Sequence, residues 1–307
     1  MSLFEIHLEL CRRCVLTCMH CSSCAQEDGA MPQMNARDIW ALIENSDPSL
    51  KFVICLTGGE PLIHPRLLEW IHEGNKRTCE VGLFSSGIVG LDAARRPTPI
   101  SIDGACRLRD AGVRFVYVSL HSMHAEVHDR IAGVPGSFRA CLESLSHLRL
   151  ASIDIRIHYV PMKPTIDELP KSLRFFAELG ITELRYLRLV QHGRAATIWA
   201  DIGINDYAQK DKVAEVLSFL QREPISLRFT VAGFPLLYDC RPIPSGSRCQ
   251  AGKRLLYIDC GGAVYPCACV KNDPSSKLME IAGGPKLGLV AIRDNSHGDH
   301  CLQDLRR

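Results

Sequence analysis

From Phe4 to about Val190, short apolar or β-branched runs alternate with longer amphipathic stretches. The runs Phe4–Leu10, Lys51–Leu56, Val81–Phe84, Phe115–Leu120, Asp154–Val160 and Glu183–Val190 predict strands. Between them the apolar positions recur at helical spacing. Asn35–Glu44 reads as a helix with Asn35 as its N-cap and Ile39, Leu42 and Ile43 on one face. Pro65–Arg77, Phe138–Arg149 and Ile166–Leu179 read likewise, the last with Gly180 as a capping glycine. Strand–helix alternation predicts an α/β fold with a parallel sheet and right-handed crossovers. Functional groups then gather at the C-terminal ends of the strands, where Cys14, Gly58, Ser85 and Ser119 fall.

Beyond a predicted helix at Tyr207–Arg222 the pattern changes. Residues 234–248 are rich in Pro, Gly and Ser, and Leu255–Asp259 and Ala263–Tyr265 flank Gly261-Gly262 as a predicted hairpin. The chain is therefore expected to divide into a large unit, 1–233, and a small C-terminal one, 234–307.

Composition narrows the function classes. With 36 basic and 34 acidic residues the net charge is +2, which gives no electrostatic case for nucleic acid. No apolar run reaches the roughly eighteen residues of a membrane span, and no secretion signal precedes the first strand, so a cytoplasmic location is expected. In such a chain 15 cysteines favour metal binding and catalysis over disulfides.

Cys14, Cys18 and Cys21 follow the first strand in the spacing Cys-x3-Cys-x2-Cys. Three thiolates on one tight loop can hold three irons of a [4Fe–4S] cluster and leave the fourth open for chemistry. Closed zinc sites and electron-transfer clusters require a fourth ligand, for which Cys11 and Cys24 are the nearest sources. At the end of the second strand stands Gly58-Gly59-Glu60-Pro61. The two motifs together resemble the radical S-adenosylmethionine (SAM) enzymes. That resemblance implies a partial (β/α)6 barrel, a cluster on the three cysteines and SAM bound at Gly58, Gly59 and Glu60. It also places Ser85, Ser119 and Arg194 at SAM. The family has an aromatic residue before the third cysteine, where this chain has His20, and Asp-Gly where this chain has His121-Ser122. His121, His124 and His128 have a spacing that could suit a metal, though no carboxylate or Cys completes the set nearby.

A second group, Cys240, Cys249, Cys260, Cys267, Cys269 and Cys301, crowds the C-terminal region. Around Cys249 and Cys267 the sequence resembles the twitch half of the SPASM extension, which implies an auxiliary [4Fe–4S] cluster. Cys260, beside the Gly-Gly turn, is the poorest ligand, leaving five candidates for at most four places. Along its whole length the chain resembles radical SAM epimerases that act on an aminoglycoside of the neomycin type. By that resemblance Cys249 is the hydrogen donor and Cys240, Cys267, Cys269 and Cys301 are the auxiliary ligands; by spacing alone Cys249 is itself a ligand. The implied reaction removes a hydrogen with a 5′-deoxyadenosyl radical and returns one from the thiol, consuming SAM and drawing electrons from a flavodoxin or ferredoxin. A polycationic substrate calls for carboxylates at the cavity mouth. The alternatives are a dehydrogenase acting on an aminocyclitol and a peptide-modifying enzyme. The latter often carries an N-terminal recognition domain, whereas only three residues precede the first strand here.

Overall fold

β1 (Ser2–Glu9) shows why this chain forms an open barrel. Phe4, Ile6 and Leu8 alternate with Glu5, His7 and Glu9, so the strand presents an apolar face to helices and a polar face to the interior. The computed structural model describes residues 2–32, 34–223, 225–233, 250–271 and 273–281. Cys240, Cys249 and Cys301 lie outside them.

β1 pairs in parallel with β2 (Leu50–Thr57), placing Phe4 opposite Phe52, Ile6 opposite Ile54 and Leu8 opposite Leu56. β3 (Glu80–Ser85) follows, and β4 (Ile88–Leu91) with β5 (Pro97–Pro99) forms a separate two-stranded ribbon. The main sheet continues through β6 (Phe115–Ser119), β7 (Asp154–Tyr159), β8 (Glu183–Leu187) and β9 (Arg228–Ala232), all parallel. On the other side of β1, β10 (Leu255–Ile258) also runs parallel, and β11 (Ala263–Tyr265) and β12 (Met279–Glu280) complete the sheet antiparallel. The predicted hairpin is thus present and hydrogen-bonded to the first barrel strand.

The six expected strands all form, and β9 adds a seventh to the parallel run. Its five-residue segment is too short to stand out as a periodic pattern. The helix Ile102–Ala111 also went unpredicted because only Ala105 and Leu108 of it are buried. Helix Ala36–Glu44 begins at Asn35, whose side chain accepts from the Arg37 amide as expected. Gly180 takes a left-handed φ of 72° after helix Leu169–Glu178.

Ile54, Leu56, Val81 and Leu83 pack outward with Trp40, Trp70, Leu145 and Phe176 in one core. Each fully buried side chain of this size contributes roughly 1.5–3 kcal/mol. The core holds the outer layer on the sheet and leaves the inner face to polar groups. No helix among the described residues is long and apolar enough to cross a membrane.

Asp129 closes the helix Ser137–Leu150. Its carboxylate accepts from the amides of Gly136 (2.6 Å) and Phe138 (2.7 Å) at the helix start, where backbone donors lack partners. Asp129→Ala is expected to lower stability by about 1–2 kcal/mol. The check is the urea midpoint; an unchanged midpoint would show that the cap carries no load.

Candidate active site

The loop after β1 is bonded to the turn after β2. Leu10 N–H donates to Thr57 O (2.9 Å), Gly59 N–H to Cys11 O (2.6 Å) and Glu60 N–H to Arg13 O (2.8 Å). A Cβ at Gly59 would lie 2.0 Å from Arg13 O; one at Gly58, where φ is +142°, would lie 2.4 Å from Cys11 O. Only glycines allow the strands to close this tightly. Farther along, Thr17 and Met19 donate to Ala132 O and Ile131 O, so the loop is also tied to helix Ala125–Ala132.

Cys14, Cys18 and Cys21 line one cavity of about 580 Å³ together with Gly58, Gly59 and Glu60. Cys11 and Cys24 do not reach it: Cys11 is fully buried against Arg13 O and Glu60 O, and Cys24 is exposed. Of the five cysteines between Cys11 and Cys24, only the three of the triplet face the space, which fits a cluster with an open iron. Burial, Cys18 and Glu60 raise the Cys14 thiol. Burial and Cys21 push Cys18 up to about 12 against the pull of Arg194. Grouped thiolates here need positive charge to offset burial and mutual repulsion, which a cationic cluster core supplies.

Glu60 is 1% exposed and fully engaged. Ser85 Oγ donates to its Oε1 (2.6 Å), while Ser86 N–H (2.8 Å) and Ser86 Oγ (2.6 Å) donate to Oε2. Leu62 N–H also donates to Oε1 (3.1 Å). Burial raises this carboxyl, and the four donors offset only part of that rise. The result is a fixed carboxylate facing the cavity, suited to an ammonium group. Ser85 lines the cavity and also orients Glu60, with Ser86 as a second support that the sequence showed only as part of a polar turn. Ser119 lines the cavity from the end of β6. Arg194 lines it too, but its Nε and Nη1 donate to Cys18 O (2.8 Å) and Ala25 O (2.8 Å), and its amide donates to Cys21 O (3.1 Å). Arg194 thus fastens the cysteine loop.

His20 packs edge-on against His121 with centroids 4.5 Å apart, and His121 stacks on His128 at 5.7 Å. Burial, Arg194 and His128 lower His20 to about 4, so it presents a neutral ring. His124 departs from this stack toward Glu168 (3.6 Å), so the three histidines of the 121–128 segment do not converge on one point.

Cys267 and Cys269 line the same cavity, as do Gln250 and Ala251, whereas Cys260 does not. The assignments to Cys240, Cys249 and Cys301 fall outside the described residues. The expected acidic mouth is replaced, among the described residues, by a wall of mixed charge. Glu5 and Glu183 line the cavity beside Arg185, Arg228 and Arg254. Glu5 accepts from Arg185 (3.0 Å), and Glu183 accepts from Tyr117 (2.5 Å) and Thr230 (3.1 Å). A second buried network joins Lys271, Tyr257, Glu9 and Ser23, linking the C-terminal hairpin to the cysteine loop. Glu5, Glu9 and Arg185 went unnoticed in the sequence although strict alternation along β1 and β8 marks them.

Residues 8–176 match the Radical SAM superfamily. The AdoMet-dependent heme synthase of Oleidesulfovibrio alaskensis is 25% identical over 286 residues, covering 86% of this chain and 69% of that protein. The mycofactocin maturase MftC of Mycobacterium tuberculosis is 27% identical over 278 residues, covering 86% and 64%. Among solved structures, Streptococcus suis SuiB bound to S-adenosylmethionine superposes with a TM-score of 0.69 at 14% identity, covering 90% of this chain and 63% of SuiB. At that identity the likeness is one of fold. The chain thus spans about two thirds of the length of these proteins. Iron–sulfur and SAM chemistry follow from the family, as does the partial-barrel fold.

Glu60→Gln is expected to weaken SAM binding about tenfold or more, the scale of losing one charged hydrogen bond, while iron content stays the same. Calorimetric titration of the reconstituted protein reads this directly. Unchanged SAM affinity would reduce the Gly-Gly-Glu-Pro segment to a structural turn.

Proposed function

The chain belongs to the Radical SAM superfamily, and from that premise we propose that it is an epimerase inverting a C–H centre of an amino sugar in an aminoglycoside, of the neomycin C to neomycin B type. Two things support this reading. The sequence resembles such epimerases along its whole length, and two thiols outside the triplet, Cys267 and Cys269, line the cavity shared by Cys14, Cys18, Cys21 and Glu60. The second observation carries it, because inversion requires a thiol outside the SAM cluster that can reach the same space.

Cys14, Cys18 and Cys21 would hold the SAM-binding cluster and Glu60 the amino group of SAM, with Ser85 and Ser86 fixing the carboxylate. When bound, cluster and SAM supply a one-electron route to removing a hydrogen atom from an unactivated C–H. Cys249 then gives the hydrogen of its S–H to the carbon from the opposite face. Its sulfur is left one electron and one proton short, restored by a low-potential donor of the flavodoxin or ferredoxin class and by solvent. Cys267 and Cys269, with Cys240 and Cys301, would hold an auxiliary cluster on the path of that electron. The walls of the cavity would orient the reacting bond.

A peptide-modifying role is the second reading, favoured by the similarity to mycofactocin maturase and to SuiB, which has also been solved with its precursor peptide SuiA. In the epimerase reading, wild-type protein incubated anaerobically with SAM, dithionite and neomycin C in D2O places a single deuterium at the inverted carbon. Cys249→Ala retains iron content and SAM cleavage but yields no inverted product. Product free of deuterium, or a Cys249→Ala variant that still inverts, contradicts the donor role; no turnover of neomycin C contradicts the epimerase reading.

Fully reconstituted protein is further expected to carry about eight irons per chain, falling to about four when Cys14, Cys18 and Cys21 are all changed to Ala. About four irons in the intact protein would remove the auxiliary cluster from the scheme.

A further inference from the structure

Strand β10 brings one oxidisable ring to the cavity. Leu256 and Ile258 belong to the outer core, so alternation turns Tyr257 to the inner face, where it lines the cavity shared with the cysteine triplet. It is the only phenol among the described residues to do so, and no indole joins it. Its ring clusters with Ala263 and Tyr265, and Ala268, the residue between Cys267 and Cys269, packs against that cluster. Its hydroxyl donates to Glu9 Oε2 and accepts from Lys271 Nζ (3.1 Å), which also donates to Ser23 Oγ on the cysteine loop. Tyr257 therefore stands between the loop of Cys14, Cys18 and Cys21 and the segment of Cys267 and Cys269.

A phenol gives up an electron readily only when its proton can leave at the same time, because the oxidised phenol is a strong acid. Here the acceptor is in place. Glu9 is 0% exposed and Tyr257 2%, so the proton can pass along an existing hydrogen bond and return along it without crossing to bulk water. Arg12 Nε at 3.1 Å and Lys271 Nζ at 3.6 Å hold the Glu9 carboxyl in position. Other buried phenols lack one half of this arrangement. Tyr117 donates to Glu183 but does not line the cavity, and Tyr159 donates to the backbone carbonyl of Thr165.

We propose that Tyr257 is a one-electron relay between the radical chemistry of the cavity and the segment carrying Cys267 and Cys269. This rests on the hydrogen-donor thiol of the proposed function and goes further by naming the residue that restores it. The thiol that has given its hydrogen atom to the substrate carbon is left as a thiyl radical. Tyr257 passes one electron to that sulfur, which becomes a thiolate and takes a proton from solvent. The phenol proton moves to Glu9, leaving a neutral phenoxyl radical. One electron from the low-potential donor of the flavodoxin or ferredoxin class, entering by way of the Cys267–Cys269 segment, reduces the phenoxyl, and the proton returns from Glu9. Phenol and carboxyl end as they began, and the sulfur has gained one electron and one proton. Thiyl and phenoxyl radicals are of similar oxidising strength, so the hop is not steeply uphill. An electron, unlike a hydrogen atom, also needs no direct contact between the two groups.

The test compares first and later turnovers of neomycin C by the reconstituted protein. Tyr257→Phe keeps the ring and leaves Glu9 its contacts with Arg12 and Lys271. It is expected to keep iron content, SAM affinity and the first inversion, with multiple-turnover inversion slowed about tenfold or more. A second variant, Tyr257→3-aminotyrosine, retains the hydroxyl and is more easily oxidised. Freeze-quench EPR is expected to show an aminotyrosyl radical in it that requires both SAM and neomycin C. Multiple turnover of Tyr257→Phe at the wild-type rate would overturn the relay and leave the epimerase reading intact. So would the absence of that radical from a Tyr257→3-aminotyrosine protein that forms 5′-deoxyadenosine with neomycin C present. Should Tyr257→Phe lose iron or SAM affinity, the EPR result decides alone. Failure of the wild-type protein to invert neomycin C would overturn both the relay and the reading beneath it.

Discussion

The approach of two backbones, one after β1 and one after β2, is the constraint on which the rest of the site depends. Gly59 donates to Cys11 O at 2.6 Å and Glu60 to Arg13 O at 2.8 Å, in space where a Cβ on Gly59 would sit 2.0 Å from a carbonyl oxygen. The thiol loop and the carboxylate turn are therefore one unit. Cys14 enters the cavity three residues after Cys11, and Glu60 enters it one residue after Gly59. The register of β1 on β2, with Leu8 opposite Leu56, sets this meeting, and the apolar outer core enforces that register. Packing on one face of the sheet thereby determines chemistry at its end.

A second consequence of the same alternation lies inside the barrel. Because Phe4, Ile6 and Leu8 are committed to the outer core, Glu5, His7 and Glu9 must turn inward, where they meet Arg185, Phe84 and Tyr257 of other strands. Glu5 is the clearest case. Burial alone would raise its carboxyl, but His7 and Arg185 outweigh burial and hold it well below the usual carboxylate range. Glu183 is held in the same way, by the hydroxyls of Tyr117 and Thr230, so the carboxylates inside this barrel are each fixed by partners from neighbouring strands.

Much of this was legible in the sequence, and what escaped did so for physical reasons. The six strands, Asn35 as a cap and the triplet of cysteines are local signals, each contained within a few residues. Ser85 was readable as a polar residue after a strand, but its bond to Glu60 spans 25 positions and exists only because β3 lies beside β2. Arg194 was readable from its motif as a residue of the site, and it lines the cavity, but its hold on the carbonyls of Cys18 and Ala25 depends on where the chain returns after β8. His158 carried no motif at all, and its packing on the rings of Tyr117 and Phe84 exists only because β3, β6 and β7 lie side by side.

The central claim is that Cys14, Cys18 and Cys21 hold a cluster open to SAM at the turn carrying Glu60. Reductive cleavage of SAM tests it most directly: anaerobically reconstituted protein, reduced with dithionite, is mixed with SAM and assayed for 5′-deoxyadenosine by mass spectrometry. Wild-type protein is predicted to form 5′-deoxyadenosine and the Cys14→Ala, Cys18→Ala, Cys21→Ala triple variant to form none. Equal yields from the two proteins, or no 5′-deoxyadenosine from a wild-type protein carrying its full complement of iron, would contradict the account.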